Sequence, residues 1–283
     1  MANIESLIYD IHQVVKGEGG WDKAASKYLG EQISQVAHQR FSQPATPRGY
    51  LSLSSVGTPC DRKLWYKVNK PGLGEPLDAE SLGTFFYGDM IEALVLALAK
   101  AAGHDVQGEQ DRLDVHGVKG HRDCIIDGMV VDVKSASKYS FQKFSSNGLR
   151  EDDPFGYISQ LSSYLYASQD DPRVTYKEEA AFLVVQKDRF KLCLDRYNLS
   201  PELKNKKVEI EKAKELVGGA IPEGRLKPIP QSKTSPNTML GVQCNYCEFR
   251  KVCWPEARTF IYSTGLVHLV DIKKEPNVTE LIE

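Results

Sequence analysis

Residues 121–135 read HRDCIIDGMVVDVKS, and this stretch decides the fold of the chain. Asp127-Gly128 separates two apolar runs, which is a strong signal for a hairpin with a two-residue turn, because both turn residues need positive φ. The register that follows pairs Ile126 with Met129, Ile125 with Val130, and Cys124 with Val131. One step further from the turn, Asp123 falls opposite Asp132. The hairpin therefore predicts two carboxylates side by side.

One face of this hairpin is apolar, whereas the other ends in charged residues. The apolar face must pack on the core and consists of Cys124, Ile126, Met129, Val131 and Val133. The charged face carries Asp123, Asp132 and then Lys134. Like charges that face each other destabilise a sheet, and a divalent cation such as Mg²⁺ or Mn²⁺ would relieve that repulsion through oxygen ligands. The alternative is a solvent-exposed face on which Lys134 neutralises the acids.

A helix predicted over residues 81–102 adds a third acid. Its apolar run demands burial, and Gly103 ends it. Glu92 interrupts the run, and a charge on the buried side would be costly unless it were paired or bound to a metal. We therefore expect Glu92 to be a further metal ligand. The alternative places it on the polar side of the helix with Asp89 and Lys100.

A second helix is predicted over residues 154–167, with Asp153 as its N-cap and a proline in its first turn. Gln160 and Tyr164 lie four residues apart and share one face of this helix, with Tyr157 on a neighbouring line. An amide and a phenol thus stand together. Taken alone, such a face is typical of an ordinary helix surface.

The remaining segments predict an α/β fold. Strands are expected over residues 180–186 and 189–196, and a charged helix over 201–217. The N-terminal region is predicted to be helical, with an apolar stripe formed by Ile4, Leu7, Ile8, Ile11 and Val15. We divide the chain into an N-terminal helical region (1–50), a core (51–220), a linker with a cysteine cluster (221–260) and a tail (261–283).

Composition excludes several classes of protein. With 41% hydrophobic and 26% charged residues, the chain is neither collagen-like nor wholly disordered. Its formal net charge of −2 gives no global basic field, so any nucleic acid must bind to local patches. The longest uncharged apolar run, Ala93–Ala99, is far shorter than the roughly 20 residues of a membrane span, and the first 20 residues do not resemble a secretory signal. We expect a cytoplasmic protein that does not contact a membrane.

Three of the six cysteines lie close together near the C-terminal end: Cys244, Cys247 and Cys253. Three thiolates suggest a metal site, and such sites usually have four ligands. Cys124 and Cys193 fall in apolar strand patterns, so Cys60, in a loop that opens a helix, is the better fourth ligand. Spacing alone favours zinc.

Four short motifs occur in order along the chain: Gly88-x-x-x-Glu92, Gly120-x-x-Asp123, Asp132-x-Lys134 and Gln160-x-x-x-Tyr164. Together they resemble the motifs of the PD-(D/E)xK nuclease superfamily, specifically its RecB-like branch, over about residues 54–255. The resemblance implies a restriction-endonuclease-like core, in which helices flank a central mixed β-sheet. The chain departs from many members in having Glu92 where they have His.

The resemblance also implies roles for single residues. The ligands of Mg²⁺ or Mn²⁺ would be Glu92, Asp123, Asp132 and the carbonyl group of Val133. Lys134 would position or activate the attacking water, while Gln160 and Tyr164 would hold the strand or order the site. The basic and aromatic residues that we expect to contact DNA are Arg62, Lys63, Lys138, Lys143 and Tyr157.

The cysteine pattern is similar to that of the iron–sulfur subgroup of RecB-like nucleases, which includes CRISPR-associated exonucleases and AddB-type helicase–nucleases. One cysteine precedes the core, and Cys-x2-Cys-x5-Cys follows it. The resemblance implies a [4Fe–4S] cluster held by Cys60, Cys244, Cys247 and Cys253, with zinc as the alternative metal.

These patterns together predict a metal-dependent DNA nuclease, an exonuclease acting on single strands or strand ends. The sequence has no Walker A motif, so no ATP-driven motor is expected. We expect DNA as the partner, with self-association or a recombination or DNA-processing protein as further possibilities. A ribonuclease, or a non-catalytic nucleic-acid-binding or assembly module held together by metal, is the competing hypothesis.

Overall fold

This computed structural model describes residues 3–42 and 49–282, which form helices and strands. The helices are α1 (Leu7–Val15), α2 (Lys23–Ser42), α3 (Asp61–Asn69), α4 (Ala79–Ala101), α5 (Lys138–Ser145), α6 (Tyr157–Ala167), α7 (Ser200–Gly218), α8 (Val242–Asn245) and α9 (Arg250–Cys253). The strands are β1 (Val106–Gln107), β2 (Arg112–Val115), β3 (Val118–His121), β4 (Cys124–Ile126), β5 (Met129–Ala136), β6 (Glu179–Gln186), β7 (Lys191–Asn198), β8 (Ile229–Pro230), β9 (Thr238–Met239), β10 (Arg258–Tyr262), β11 (Gly265–Leu269) and β12 (Glu280–Leu281).

The chain divides into two compact units, and each draws on separate stretches of sequence. The first unit comprises Met1–Thr46, Ser52–Gly57 and Asp78–Ala213. The second comprises Pro47–Leu51, Thr58–Leu77 and Lys214–Glu283.

A mixed five-stranded sheet, ordered β1-β4-β5-β6-β7, forms the centre of the first unit. Strands β5 and β6 are parallel, and the other neighbours are antiparallel. Side chains of α1 and α4 cover one face of the sheet, while α5 and α6 contact β5 and β6. Because a strand pair covered on both faces needs apolar residues on both, β6 is buried along almost its whole length. The predicted α/β fold, with helices on a central mixed sheet, is confirmed.

The predicted hairpin is present with the predicted register from Cys124 to Val131. Asp127 and Gly128 have φ values of 49° and 82°, as a type I′ turn requires. The ladder ends at Cys124 and Val131, so the predicted pair of Asp123 and Asp132 lies just beyond it. The Asp123 carboxylate instead accepts a hydrogen bond from the backbone N–H of Val133, at 2.8 Å.

Both faces of the hairpin are buried, not only the apolar one. Ile125 and Val130, on the face that carries the acids, are 1% and 0% exposed. The alternative of a solvent-exposed acidic face therefore does not describe this fold. Helices α5 and α6 cover that side, where the ring of Phe144 meets that of Phe182 at 5.4 Å.

The terminal helices differ in detail from the prediction. In α1, Leu7, Ile11 and Val14 are buried, whereas Val15 is 53% exposed, so Val14 rather than Val15 completes the stripe. This follows from helical geometry, because residues i, i+4 and i+7 stay on one face. Pro44 and Pro47 also predict a connector over residues 42–48, of which 43–48 lie outside the described residues.

Helix α4 is the one helix in the described ranges whose length and mean hydropathy would suit a membrane span. Its second half is nevertheless a core element. The buried residues there pack against α1 and the sheet, and they include Ile91, Val95, Leu96, Leu98 and Ala99. Asp78 caps the helix by accepting from the N–H of Ser81, and Gly103, with φ of 88°, follows its C-terminal end.

Helix α6 begins at Tyr157, three residues later than predicted. Gly156 adopts positive φ (76°) just before it, which prevents the helix from extending back to Pro154. Asp153 still satisfies the first free N–H groups, because its carboxylate accepts from both Tyr157 and Ile158 at 2.9 Å.

The second unit contains its own five-stranded sheet, ordered β12-β10-β11-β9-β8. The hairpin of β10 and β11 is its longest pairing, and Phe260 and Leu269 are buried in it. A small apolar cluster of Leu240, Cys244 and Trp254 lies beside short helices α8 and α9. Residues 261–282, which the sequence did not resolve into strands, supply β11, β12 and the end of β10.

Candidate active site

Asp132, in the middle of β5, is the most deeply buried acid of the candidate site. It is 1% exposed. Neither of its carboxylate oxygens makes a hydrogen bond of acceptable geometry among the described residues. One oxygen instead contacts the ammonium group of Lys134 as an ion pair. A buried carboxylate with so few partners is costly, and such a group needs a functional explanation.

Asp123 lies beside Asp132 at the start of the hairpin. Burial raises its pKa well above the usual value for an aspartate, and the charges of Asp132 and Glu92 add to the effect. Lys134 and the Val133 N–H act in the opposite direction but do not compensate. The site therefore contains more negative charge than its own cation balances.

Glu92, from α4, completes the set of acids. Burial raises its pKa to about 7, and the Asp132 charge contributes to the rise. The alternative grouped Glu92 with Asp89 and Lys100 on the polar side of α4. Both of those residues have other partners, since Asp89 pairs with Arg40 and Lys100 pairs with Glu109. Glu92 thus lies with the acids of the sheet and not with the polar face of α4.

Gln110 is a site residue that the sequence did not reveal. Its side-chain amide donates to Glu92 Oε1 at 2.8 Å and to Asp123 Oδ1 at 3.5 Å. Its backbone N–H also donates to the carbonyl oxygen of Asp123, at 2.9 Å. The residue sits in a turn with φ of 53°, a left-handed conformation that is strained for a side chain of this kind. No motif or periodicity marks it, because its contacts are 13 and 18 residues away in sequence.

Lys134 follows Asp132 by two residues on the same face of β5. Burial works to lower its pKa, but the charges of Asp132 and Asp123 outweigh burial and raise it. The group is therefore a stable ammonium. It can donate hydrogen bonds to a phosphate or a water.

The aromatic and amide residues of α6 surround this ammonium. Nζ of Lys134 lies 5.2 Å from the centre of the Tyr157 ring, a cation–π contact. Tyr164 is 4% exposed, and burial together with the Asp132 charge raises the pKa of its phenol. Gln160 donates to the Tyr164 hydroxyl at 2.9 Å, so it is joined to the site through that phenol.

Two of the residues expected to contact DNA, Lys138 and Lys143, lie on α5, and their surroundings differ. Lys138 is exposed in the first turn of α5. Lys143 forms an ion pair with Asp152 and lies 5.2 Å from the centre of the Tyr139 ring.

Arg62 and Lys63 belong to the second unit, where each has a protein partner. Arg62 donates to the carbonyl oxygen of Pro222 at 2.5 Å and lies over the Tyr66 ring. Lys63 pairs with Glu248 at 3.4 Å and lines the cysteine pocket. These contacts account for both cations without a nucleic acid.

The four predicted cysteines line one pocket of the second unit. The pocket also includes Lys63, Tyr66, Phe249 and Trp254. Burial raises the pKa of the Cys247 thiol to about 12, and the Cys60 charge adds to the effect. Burial likewise raises the pKa of Cys244, with further contributions from Cys60 and Cys253. All six cysteines of the chain are free thiols, and Cys124 and Cys193 lie on β4 and β7, away from the pocket.

Within residues 3–42 and 49–282, no three His, Cys, Asp or Glu side chains already stand in the arrangement of a metal-binding group. The chemistry of both sites nevertheless fits a cation. In the first unit, three acids with one ammonium leave the buried oxygens of Asp132 without hydrogen bonds. In the second, four thiols face one small space, which suits a thiolate-bound metal or cluster.

Comparison with protein families agrees with the motifs. A family model described as "PD-(D/E)XK nuclease superfamily" matches residues 18–254. No curated protein matches the sequence. Four chains of solved structures match. One of them, titled "Crystal structure of SSO0001", is 15% identical, with a TM-score of 0.42, and the match covers 81% of this chain and 95% of that one.

Proposed function

The chain belongs to the PD-(D/E)XK nuclease superfamily, which makes it a metal-dependent nuclease, and on this premise we propose that it is a deoxyribonuclease that degrades DNA from ends or as single strands. The observation that carries the proposal is the buried pair of Asp132 oxygens without hydrogen bonds, set among Glu92, Asp123 and Lys134. We place the chain in the RecB-like branch on its four ordered motifs.

Glu92, Asp123, Asp132 and the Val133 carbonyl would hold Mg²⁺ or Mn²⁺. A divalent ion bound there would lower the pKa of a water and offset the charge of the phosphate. Lys134 would donate a hydrogen bond to the phosphate or to the attacking water, since its raised pKa keeps it an ammonium. Tyr157 would hold Lys134 from one side, and Gln160 would fix the Tyr164 phenol. Lys138 and Lys143 would guide the strand toward these groups.

A comparison of Asp132→Asn with the wild-type chain tests this function. Asp170→Asn is the matched control, because Asp170 is an exposed acid in the turn after α6. Each protein is incubated with end-labelled linear single strands and with closed single-stranded circles, in Mg²⁺, Mn²⁺ or chelator. We expect metal-dependent loss of linear strands in wild type and control, and at least a hundredfold slower loss in Asp132→Asn.

Other outcomes separate the competing hypotheses. Cleavage of circles would leave the nuclease chemistry in place and remove the requirement for ends. Cleavage of RNA but not of DNA would show that the enzyme is a ribonuclease. DNA binding without any cleavage in the wild type would favour a non-catalytic nucleic-acid-binding or assembly module.

For the second unit, we propose a [4Fe–4S] cluster bound by Cys60, Cys244, Cys247 and Cys253. The four thiols share one pocket, which Lys63 and Arg250 also line. Iron, labile sulfide and zinc are measured on anaerobically purified wild type, Cys60→Ser and Cys193→Ser. We expect iron and sulfide in wild type and Cys193→Ser, and a marked loss in Cys60→Ser. Stoichiometric zinc without sulfide would contradict the cluster.

A further inference from the structure

Phe85, on α4, is an aromatic residue that the fold leaves 46% exposed close to the acids. It precedes Glu92 by seven residues. Seven residues are two helical turns, so Phe85 and Glu92 lie on one stripe of the helix, about 10 Å apart along its axis. A core residue at such a position would be buried, and Phe85 has no polar group that would explain its exposure.

Gly88 lies between Phe85 and Glu92 on the same stripe. The atom nearest to a Cβ placed there would be the hydroxyl of Ser135, at 3.3 Å. This part of α4 therefore runs beside the C-terminal end of β5, the strand of Asp132 and Lys134. Because Gly88 is a glycine, it places no side chain between the Phe85 ring and the Glu92 carboxylate.

Tyr139 provides a second exposed ring at the same end of β5. It lies four residues beyond Ser135, in the first turn of α5, and is 67% exposed. A cation lies near each ring: Arg40, which pairs with Asp89, is 5.8 Å from the centre of the Phe85 ring, and Lys143, which pairs with Asp152, is 5.2 Å from that of Tyr139. Tyr87 is exposed as well, but its hydroxyl donates to the carbonyl oxygen of Lys187, which gives it a structural role.

We propose that Phe85 and Tyr139 are stacking platforms for unpaired bases of the substrate strand, on the approach to the carboxylates. This inference rests on the proposed nuclease function. Exposed aromatic rings suit a single strand, because its unpaired bases can stack on them. Bases within a duplex are already stacked and paired, so the platforms favour single-stranded nucleic acid.

Strands without bases provide the decisive probe. Binding of a fluorescent oligothymidylate, and of an abasic strand of equal length, is measured in chelator, so that nothing is cleaved. The variants are Phe85→Leu and Tyr139→Leu in the full chain, since leucine keeps an apolar side chain and removes the ring. Tyr9→Leu is the control. Tyr9 is 64% exposed on α1, beside Asp10, which contacts His104 just past the far end of α4, about 24 Å from Phe85 along the helix.

We expect wild type and Tyr9→Leu to bind oligothymidylate at least tenfold more tightly than the abasic strand. Phe85→Leu and Tyr139→Leu should each lose about tenfold on oligothymidylate and bind the abasic strand unchanged. Equal losses of affinity for both strands, or no loss for either, would show that these rings are not stacking platforms. If wild type cleaves single strands while these variants bind normally, only the platforms fail; if wild type neither binds nor cleaves a strand, the nuclease function fails with them.

Discussion

At the scale of single residues, Gln110 shows how a neutral side chain organises charged ones. Its amide donates to Glu92 and Asp123 together, and its own backbone is held by the Asp123 carbonyl. The two acids come from elements that are far apart in sequence. One amide thus fixes the distance between a helix carboxylate and a hairpin carboxylate, without adding charge.

Gln110→Ala should lower metal-dependent cleavage by about 10–100-fold, the usual cost of removing a group that orients metal ligands. Gln107→Ala is the control, because the Gln107 amide donates to Asp105, outside the acidic site. Cleavage rates are measured across a series of Mg²⁺ concentrations, with thermal unfolding as a check on folding. Unchanged rates at every Mg²⁺ concentration would show that Gln110 does not position the acids.

Asp195 allows a test of buried charge outside the active site. It is 1% exposed, one of its oxygens lacks a hydrogen bond, and burial raises its pKa to about 6 although Tyr197 donates to it at 2.5 Å. The folded state therefore binds this proton more tightly than the unfolded chain. The contribution of Asp195 to the free energy of unfolding therefore falls as pH rises through the interval between about 4 and 6.

Asp195→Asn removes that titration and keeps an acceptor for Tyr197. The variant should exceed wild type in unfolding free energy by about 2 kcal/mol at pH 8 and lose this advantage at pH 4. Urea unfolding of both proteins at the two pH values measures the difference. A difference that does not depend on pH would mean that Asp195 titrates normally in the folded protein.

At the scale of elements, the structure contains two hairpin turns with nearly the same backbone. His116 and Gly117 have φ of 51° and 75°, and Asp127 and Gly128 have 49° and 82°. Their surroundings differ. A Cβ on Gly117 would meet nothing within 4 Å, whereas a Cβ on Gly128 would lie 2.2 Å from the Thr175 hydroxyl.

Gly117→Ala should cost about 1–2 kcal/mol of stability, the penalty for a left-handed alanine. Gly128→Ala should cost more, because the clash adds to that penalty, and it should also slow cleavage by shifting Asp123 against Asp132. Urea unfolding and cleavage rates of both variants separate the two effects. Equal costs, with normal cleavage in each variant, would mean that the turn at Gly128 does not set the geometry of the acids.

The elements also show what the sequence could predict. The β4–β5 hairpin followed from local rules, since a two-residue turn fixes which residues face each other. The hydrogen bond of Asp123 did not follow, because its carboxylate accepts from the Val133 N–H, which a ladder partner would otherwise have bonded. Strands β8, β9 and β12 have two residues each, too short for any periodicity, so the sheet of the second unit was missed. Gln110 was missed because only tertiary contacts give it a role.

At the scale of the whole molecule, the second unit is built from stretches that flank most of the first unit in sequence. Cys60 comes from the early stretch, and the other three cysteines come from the late one. A metal or cluster that binds all four would cross-link these stretches. Its binding energy would then contribute to the folding of the second unit.

Cys60→Ala in protein purified under anaerobic conditions should therefore expose the segments 58–77 and 214–283 to protease and leave the first unit protected. Cys193→Ala is the control, since Cys193 lies on β7 of the first unit. Limited proteolysis followed by mass spectrometry identifies the cleaved bonds. Equal protection of both units in Cys60→Ala would show that the cysteine pocket does not hold the second unit together.

The discontinuous second unit also has a consequence for synthesis on the ribosome. Translation delivers residues 58–77 before the main stretch of the first unit and their partners at 214–283 after it. The central sheet and all three acids are therefore synthesised before the late stretch begins. The early stretch cannot pack against the late one until then, so a metal or cluster that needs all four cysteines can bind only after the first unit has been made.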